Sequence, residues 1–407
     1  MHANRSRQIA LALGCFAVLH ADDALAAGFA VAEQGAAALG QGNAVTGTPD
    51  ATGASMFNPA AVTTSGLFAG GTITAVAPFS THEDETSTTS EFGIATPPAL
   101  HVGFVTDSPL VLGGVVGLNV PFGATLAWPA DWSGRFEVTR ISLQVFEVSG
   151  NAIVGYRTPT FSVQLAAGPR LLRSTVELQR NVDAVDTEGK VELGGAATAL
   201  SYQVATFAQI HDLGVGVSFR PGATLSYEGS ADFQQIPIEL AVAAHDQDVK
   251  TSVDLPTRIA AGLSYDLGLG RVSADVEYFG WSSFKSFGID FDDPNTPDVN
   301  EPRNWSDTVA IRAGYEHRAF DSPLRLRGGL VWDPTPSPDD TLSPTLPDGN
   351  RVVVSVGATW SFGPNIDADL GFAHVTVLEK EAEGEDVFPG RYSGFAEILS
   401  LGTRMRF

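Results

Sequence analysis

The sequence predicts an all-β protein: a 14-stranded antiparallel transmembrane β-barrel with an N-terminal hatch, or plug, inside its lumen. Three observations carry that expectation. Beyond Gly66 the chain alternates apolar residues with polar or small ones. The joints between the alternating stretches are by turns short and long. The chain closes on "EILSLGTRMRF", in which Leu399, Leu401, Met405 and Phe407 share one face and Ser400, Gly402, Arg404 and Arg406 the other. Period two marks a strand with unlike faces. Short turns at one end, long loops at the other and an even strand number are the plan of a bacterial outer-membrane barrel.

Residues 1–26 read as a secretory signal. Arg5 and Arg7 precede the apolar run "IALALGCFAVLHA", and Ala24-Leu25-Ala26 is an A-x-A cleavage site. Cleavage there leaves 407 − 26 = 381 residues. The single cysteine, Cys15, falls inside this signal. A lipoprotein reading of "LALGC" is weaker, because little apolar sequence precedes the cysteine and more follows it. The mature chain is then expected to hold no disulfide and no thiolate metal site. The formal charge of −23 argues against a nucleic-acid partner, whose usual footprint is a basic face. No later apolar stretch reaches the length of a membrane-spanning helix.

Residues 27–66 are expected to form the hatch. They are small, rich in Gly and Ala, and barely charged. Within "GASMFNPAAV", Pro59 lacks a backbone donor and biases Asn58 away from helical geometry, so the chain breaks there. Phe29, Val31, Leu39, Val45, Met56 and Phe57 are spread through the segment, which suits a compact plug better than a flexible periplasmic linker. A barrel of this size has a lumen wider than its own side chains can fill.

Residues 67–407 supply the strands, expected near 67–77, 98–107, 111–122, 141–157, 160–179, 190–210, 213–229, 249–266, 270–289, 303–318, 323–333, 350–362, 365–380 and 391–407. In 271–278, for example, Val272, Ala274, Val276 and Tyr278 alternate with Arg271, Ser273, Asp275 and Glu277. Strands this long fit a tilted membrane crossing better than a globular sheet. Closure removes every strand edge, as hydrocarbon requires. Apolar faces then meet lipid, and most arginines line the lumen. The six tryptophans (Trp128, Trp132, Trp281, Trp305, Trp332 and Trp360) lie mostly near strand ends, suiting an interfacial belt or ordinary packing.

From Ala27 to Phe407 the chain resembles the FadL-type outer-membrane transporters of long-chain fatty acids and other hydrophobic compounds. The resemblance rests on "AGF" at the mature start, "G-x-x-x-x-N-P-A" at 53–60, "PFG" with "WSGRF" at 121–136 and "FRPGATLSYEG" at 219–229. Further along it rests on "VDLPTRIAAGLSYDLG" leading to "YFGWSSF", and on "LRGGLVWDPTPSP". It implies a barrel whose third strand kinks inward and opens a lateral gap, with Asn58, Pro59 and Ala60 of the hatch against that kink. Residues 111–122 match that strand. There Gly113, Gly114 and Gly117 could bend and Pro121 interrupts the ladder, although the glycines could equally permit close packing of the hatch.

The function so implied is passive uptake of long-chain fatty acid or another hydrophobic compound in the bacterial cell outer membrane, with lateral exit after hatch rearrangement. Gly28 and Phe29 are the candidates for the pocket beside the hatch start. Arg170, Arg173 and Arg180 lie on the strand expected to hold a carboxylate head group. Arg312 and Arg327 also point inward, and lumen pairing with Asp275 and Glu277 is the plainer role for such arginines. The expected partners are the hydrophobic ligand, outer-membrane lipid and lipopolysaccharide, around a monomer without cofactor. The alternatives are uptake of monoaromatic or alkane hydrocarbon in the same fold, a general porin, and a barrel lipase. The six mature histidines show no local constellation with Ser and Asp or with metal spacing. "HEDE", "DFDD" and "EKEAEGED" read as solvated acid runs more readily than as calcium loops.

Overall fold

The computed structural model describes residues 28–50, 53, 56–183, 187–237, 240–319, 322–384 and 387–407. The expected signal, residues 1–26, lies outside them. Fourteen strands cross in chain order: β1 (Gly66–Glu83), β2 (Pro98–Val105), β3 (Leu110–Ala127), β4 (Arg140–Arg157), β5 (Phe161–Asp183), β6 (Glu188–Ile210) and β7 (Leu213–Arg220, then Ala223–Gln234). They continue with β8 (Gln247–Leu255, Thr257–Asp266), β9 (Gly270–Gly280, Ser286–Phe291), β10 (Val299–Pro302, Thr308–Arg318), β11 (Leu324–Asp333), β12 (Arg351–Ser361), β13 (Ile366–Ala382) and β14 (Gly390–Arg406).

Each strand pairs antiparallel with its chain neighbours. β14 returns to β1 along a ladder from Phe68↔Arg406 to Glu83↔Arg391, so the sheet closes on itself. Tight joints such as His211–Asp212, where His211 takes φ 52, mark the periplasmic end. The faces are inverted relative to a soluble protein. Leu112, Val116, Val154, Leu165, Leu263, Val356 and Leu401 are exposed, while Glu147, Gln164, Arg170, Gln203, Arg258, Glu277 and Arg312 are buried. In hydrocarbon the outer set is solvated by lipid, and the closed ladder satisfies the backbone.

Two expectations change. The strands expected at 213–229, 249–266 and 270–289 are read as continuous, yet β7, β8 and β9 break at 221–222, 256 and 281–285, and β10 breaks beside them at 303–307. Pro221 and Pro256 explain two of these breaks, since proline cannot donate to a ladder. The aromatic belt is also smaller than read. Trp332 and Trp360 are exposed, but Trp128, Trp132, Trp281 and Trp305 are buried. Position near a strand end does not say on which face a ring stands.

The leading segment, in its described residues 28–50, 53 and 56–62, lies inside the cylinder with nearly all its side chains buried. It holds one helical turn, Ala36–Leu39, and a 3-10 turn, Pro59–Ala61. Its backbone reaches the wall through polar side chains. Thr46 N–H donates to Asp275 Oδ2 (2.8 Å), Gly42 N–H to Ser355 Oγ (3.0 Å), and Ser264 Oγ donates to the Gly47 carbonyl (2.7 Å). The wall makes room with inward glycines. A Cβ on Gly216, Gly329 or Gly371 would overlap backbone atoms of Thr46, Gly42 or Ala36.

Candidate functional site

β3 is where wall and plug depart from regularity together. Its register against β4 shifts between Asn119 and Phe122, so Val120 and Pro121 oppose one residue, a β-bulge. From Asn119 to Leu126 every residue is buried, on both faces, whereas residues 110–118 alternate. The ladder from β2 to β3 stops at Leu100↔Leu118, and the next backbone bond across is Glu91 N–H to the Ala127 carbonyl (2.8 Å). Between these points the chain before β2 turns to β1 instead, through Val76↔Ala95. Pro97 and Pro98 sit on that lip and have no N–H to offer. The hydrogen-bond ladder of the wall therefore has a gap between residues 92–99 and 119–126.

Backbone groups released by the bulge must find partners elsewhere. The plug supplies them. The Gln34 amide donates to the Val120 carbonyl (2.9 Å) and accepts from its N–H (3.1 Å). Val31 N–H donates to the Pro121 carbonyl (2.9 Å) and Gly123 N–H to the Phe29 carbonyl (2.8 Å). Glu33 lies in the same stretch. Burial raises its carboxyl pKa from the ordinary value, and backbone N–H donors, that of Ala32 among them, work the other way.

Just above, Phe29 is fully buried in an aromatic nest. Its ring centroid lies 4.8 Å from Trp281, 5.7 Å from Phe284, 5.8 Å from Trp305 and 5.9 Å from Phe122. Gly28 turns with φ +61, its N–H on Asp348 Oδ2 at 3.1 Å, and a Cβ there would come within 2.6 Å of Trp305. The nest continues as one buried apolar cluster toward β5–β9. There Val176, Leu193, Tyr227, Val249, Phe287 and Ile289 line a small cavity of about 20 Å³.

The candidate residues fall in different places. Gly28 and Phe29 meet the bulge region together. Pro121 is in the bulge, but Gly113, Gly114 and Gly117 pair with both β2 and β4 below it. Asn58 anchors further down: its amide donates to the carbonyls of Thr46 (2.8 Å) and Thr206 (3.1 Å), and its Oδ1 caps Ala60 N–H (3.0 Å). Pro59 and Ala60 begin the 3-10 turn on the inner side of β4–β6, so the hydrogen bonds to the kink come from residues 29–34 rather than from Asn-Pro-Ala. Arg170 is buried and paired with Glu147 (2.5 Å). Arg173 needs correcting: it shares the outer face with Leu171 and donates to Thr198 Oγ1 (3.0 Å), out of reach of a lumen ligand. Arg180 lines a rim cavity with Glu91, Ala127, Trp128 and Lys190, at the upper end of the wall gap. Arg312 and Arg258 share Glu277 (2.6 and 2.7 Å), and Arg327 pairs with Glu316 (2.6 Å).

Gln34 and the inward glycines of β7–β13 carried no expectation. Glycine at inward positions of several strands (Gly216, Gly262, Gly314, Gly329, Gly371) is the signal that could have located the plug seat. Glu147→Ala is expected to cost about 3–5 kcal/mol of stability, because it strands the Arg170 charge. The denaturant midpoint of the folded barrel measures it.

Residues 17–407 match the family described as outer membrane protein transport protein (OMPP1/FadL/TodX). An outer membrane protein of Neisseria meningitidis serogroup B is 24% identical over 255 residues, 55% of this chain and 54% of that one. The chain thus spans about half the length of that relative. A Pseudomonas aeruginosa FadL homologue superposes with a TM-score of 0.82 at 16% identity, covering 94% of this chain and 100% of the other. The Pseudomonas putida toluene transporter TodX does so with 0.72 at 14%, over 94% and 100%.

Proposed function

The chain belongs to the outer membrane protein transport family (OMPP1/FadL/TodX), and from there we propose that it is a passive uptake channel for hydrophobic compounds, long-chain fatty acids first among them. The observation that carries this reading is the bulge of β3. It sits beside a buried apolar cluster, next to a gap in the β2–β3 ladder, and the first residues of the plug hold it. An apolar tail that parts the side chains of this cluster and opens an apolar chamber among them gains about 0.8 kcal/mol per buried methylene. Any motion of residues 28–34 that admits the tail also loosens the bulge. The tail can then leave sideways into the outer leaflet without crossing the polar lumen. Arg180 and Lys190 at the rim offer cations to a carboxylate head.

A second reading, uptake of an uncharged hydrocarbon, is favoured by the lumen arginines nearest the chamber. Arg170, Arg258 and Arg312 are already paired with carboxylates. Uptake of labelled oleate and of labelled toluene, in cells otherwise lacking such a transporter, separates the two. Oleate uptake above the empty-vector control, reduced several-fold by Arg180→Gln with toluene unaffected, is the expected result. Uptake of neither compound overturns the transport reading. Large steady ion currents through the unaltered protein in a planar bilayer would turn it into a porin.

A further inference from the structure

Below the plug, at the short-turn end, lies a concentration of charge that the uptake route does not use. Arg271, Arg318, Arg325, Arg327, Arg404 and Arg406, from β9, β10, β11 and β14, surround a cavity of about 370 Å³. They are 6 of the chain's 24 basic residues, in a protein of net charge −23. The plug closes the top of this vestibule with Ala37, Ala38, Gln41 and Asp50 among others.

The carboxylates nearby do not saturate these groups. Asp367 is shared by Arg325 (3.3 Å), Arg404 (2.7 Å) and Arg406 (2.7 Å). Asp266 is shared by Arg271 (3.4 Å) and Arg318, and Glu316 holds Arg327. Asp50 caps the N–H groups of Thr63 and Thr64, and Asp369 is bonded to the Thr359 hydroxyl. Six guanidinium groups carry about thirty N–H donors, five each, far more than these oxygens can accept. Two buried donors lining the cavity, Arg327 Nε and Gln41 Nε2, have no hydrogen-bond partner.

We propose that this vestibule is an oxyanion site, open to the periplasm, which takes a carboxylate or phosphate group and ties the plug to the wall. Forked guanidinium donors match both groups. The coupling follows from the lining. Arg404 Nη1 already donates to the Asp50 carbonyl (2.6 Å), so an anion in the vestibule touches β14 and the plug at once. Such an anion binds the seated plug in preference to a displaced one, and by mass action it stabilises the seated state. This site stands apart from the uptake reading and does not depend on it.

The test uses the purified full barrel in detergent at constant ionic strength, titrated calorimetrically with inorganic phosphate and, separately, with octanoate. Saturable binding near one equivalent is expected, with a higher unfolding temperature. Both effects should weaken at least tenfold in the Arg318→Gln/Arg406→Gln double variant. That variant should keep its oleate uptake and its heat-modifiable mobility on gels, which shows that the barrel is intact. Phosphate bound without octanoate identifies a free periplasmic anion as the ligand; octanoate bound without phosphate identifies the head group of a transported acid. Octanoate binding that survives the double substitution belongs to the apolar chamber and counts against the vestibule. Absence of saturable heat with either anion overturns the proposal, as does equal binding by the variant.

Discussion

Gly216→Val is expected to abolish oleate uptake and to turn a barrel nearly silent in a planar bilayer into a steadily conducting one. A Cβ at this position overlaps the Thr46 carbonyl oxygen and lies 2.7 Å from Asn58 Nδ2. The plug cannot slide aside cheaply, because Gly47 is pinned by Ser264 and Thr46 by Asp275 on the neighbouring strands. Overpacking of this kind costs typically about 1–3 kcal/mol. Losing the two Asn58 amide bonds adds about 1 kcal/mol each. A total of about 3–5 kcal/mol shifts the seated-to-displaced ratio by about two to three and a half powers of ten, at roughly 1.4 kcal/mol per tenfold. The wall itself should tolerate the change. Gly216 pairs with Phe207 and Gly262 through backbone alone, and valine suits a strand. The variant should therefore remain heat-modifiable. A Gly216→Val barrel that stays silent and still imports oleate would show that the leading segment does not close the lumen.

Deleting Pro121 should give the opposite electrical result with a comparable transport defect: uptake down tenfold or more, conductance unchanged. In the native register Asn119 faces Glu147 and Phe122 faces Val145, with two residues opposite Phe146. Removing one restores an even ladder from 110 to 127 without moving Phe122 or the residues beyond it. β3 then has no extra residue to turn it inward. Its upper half can follow β2, whose carbonyls still accept although Pro97 and Pro98 cannot donate. The plug keeps its deeper anchors at Thr46, Asn58 and Ser264, so ions stay excluded. Uptake and bilayer conductance, measured on the same preparation, report the two effects separately. Normal uptake by the deletion variant would mean that cargo does not leave beside β3.

The two variants also separate what the sequence displays from what it hides. All fourteen strands were legible, because each crossing leaves a period-two record and each periplasmic joint is too short to be anything but a turn. β3 was read to stop at Phe122 but runs to Ala127. Residues 123–126 are covered on both faces, and a doubly covered strand loses the alternation by which it is recognised. The same loss of contrast hid the plug contacts. A glutamine such as Gln34 has no periodic signature, and its partner is the backbone of Val120, which any residue would present. Arg173 failed for a different reason: with the register of β5 unfixed, one residue's slip decides between lumen and lipid. The tryptophans follow the same rule, since Trp281 and Trp305 belong to an interior nest that draws on a turn and a loop rather than on strand parity.

The ladder joining β1 to β14 sets an order of events during biogenesis. The plug precedes the first strand in the chain, yet its helical turn rests on β12, β13, β14 and β1, the staves on either side of the closing seam. A segment so enclosed, with its backbone pressed against wall glycines, has little freedom to be threaded into a finished cylinder. The last strands must wrap it while the seam is still unzipped, so the leading residues act as a mandrel for the final stage of closure.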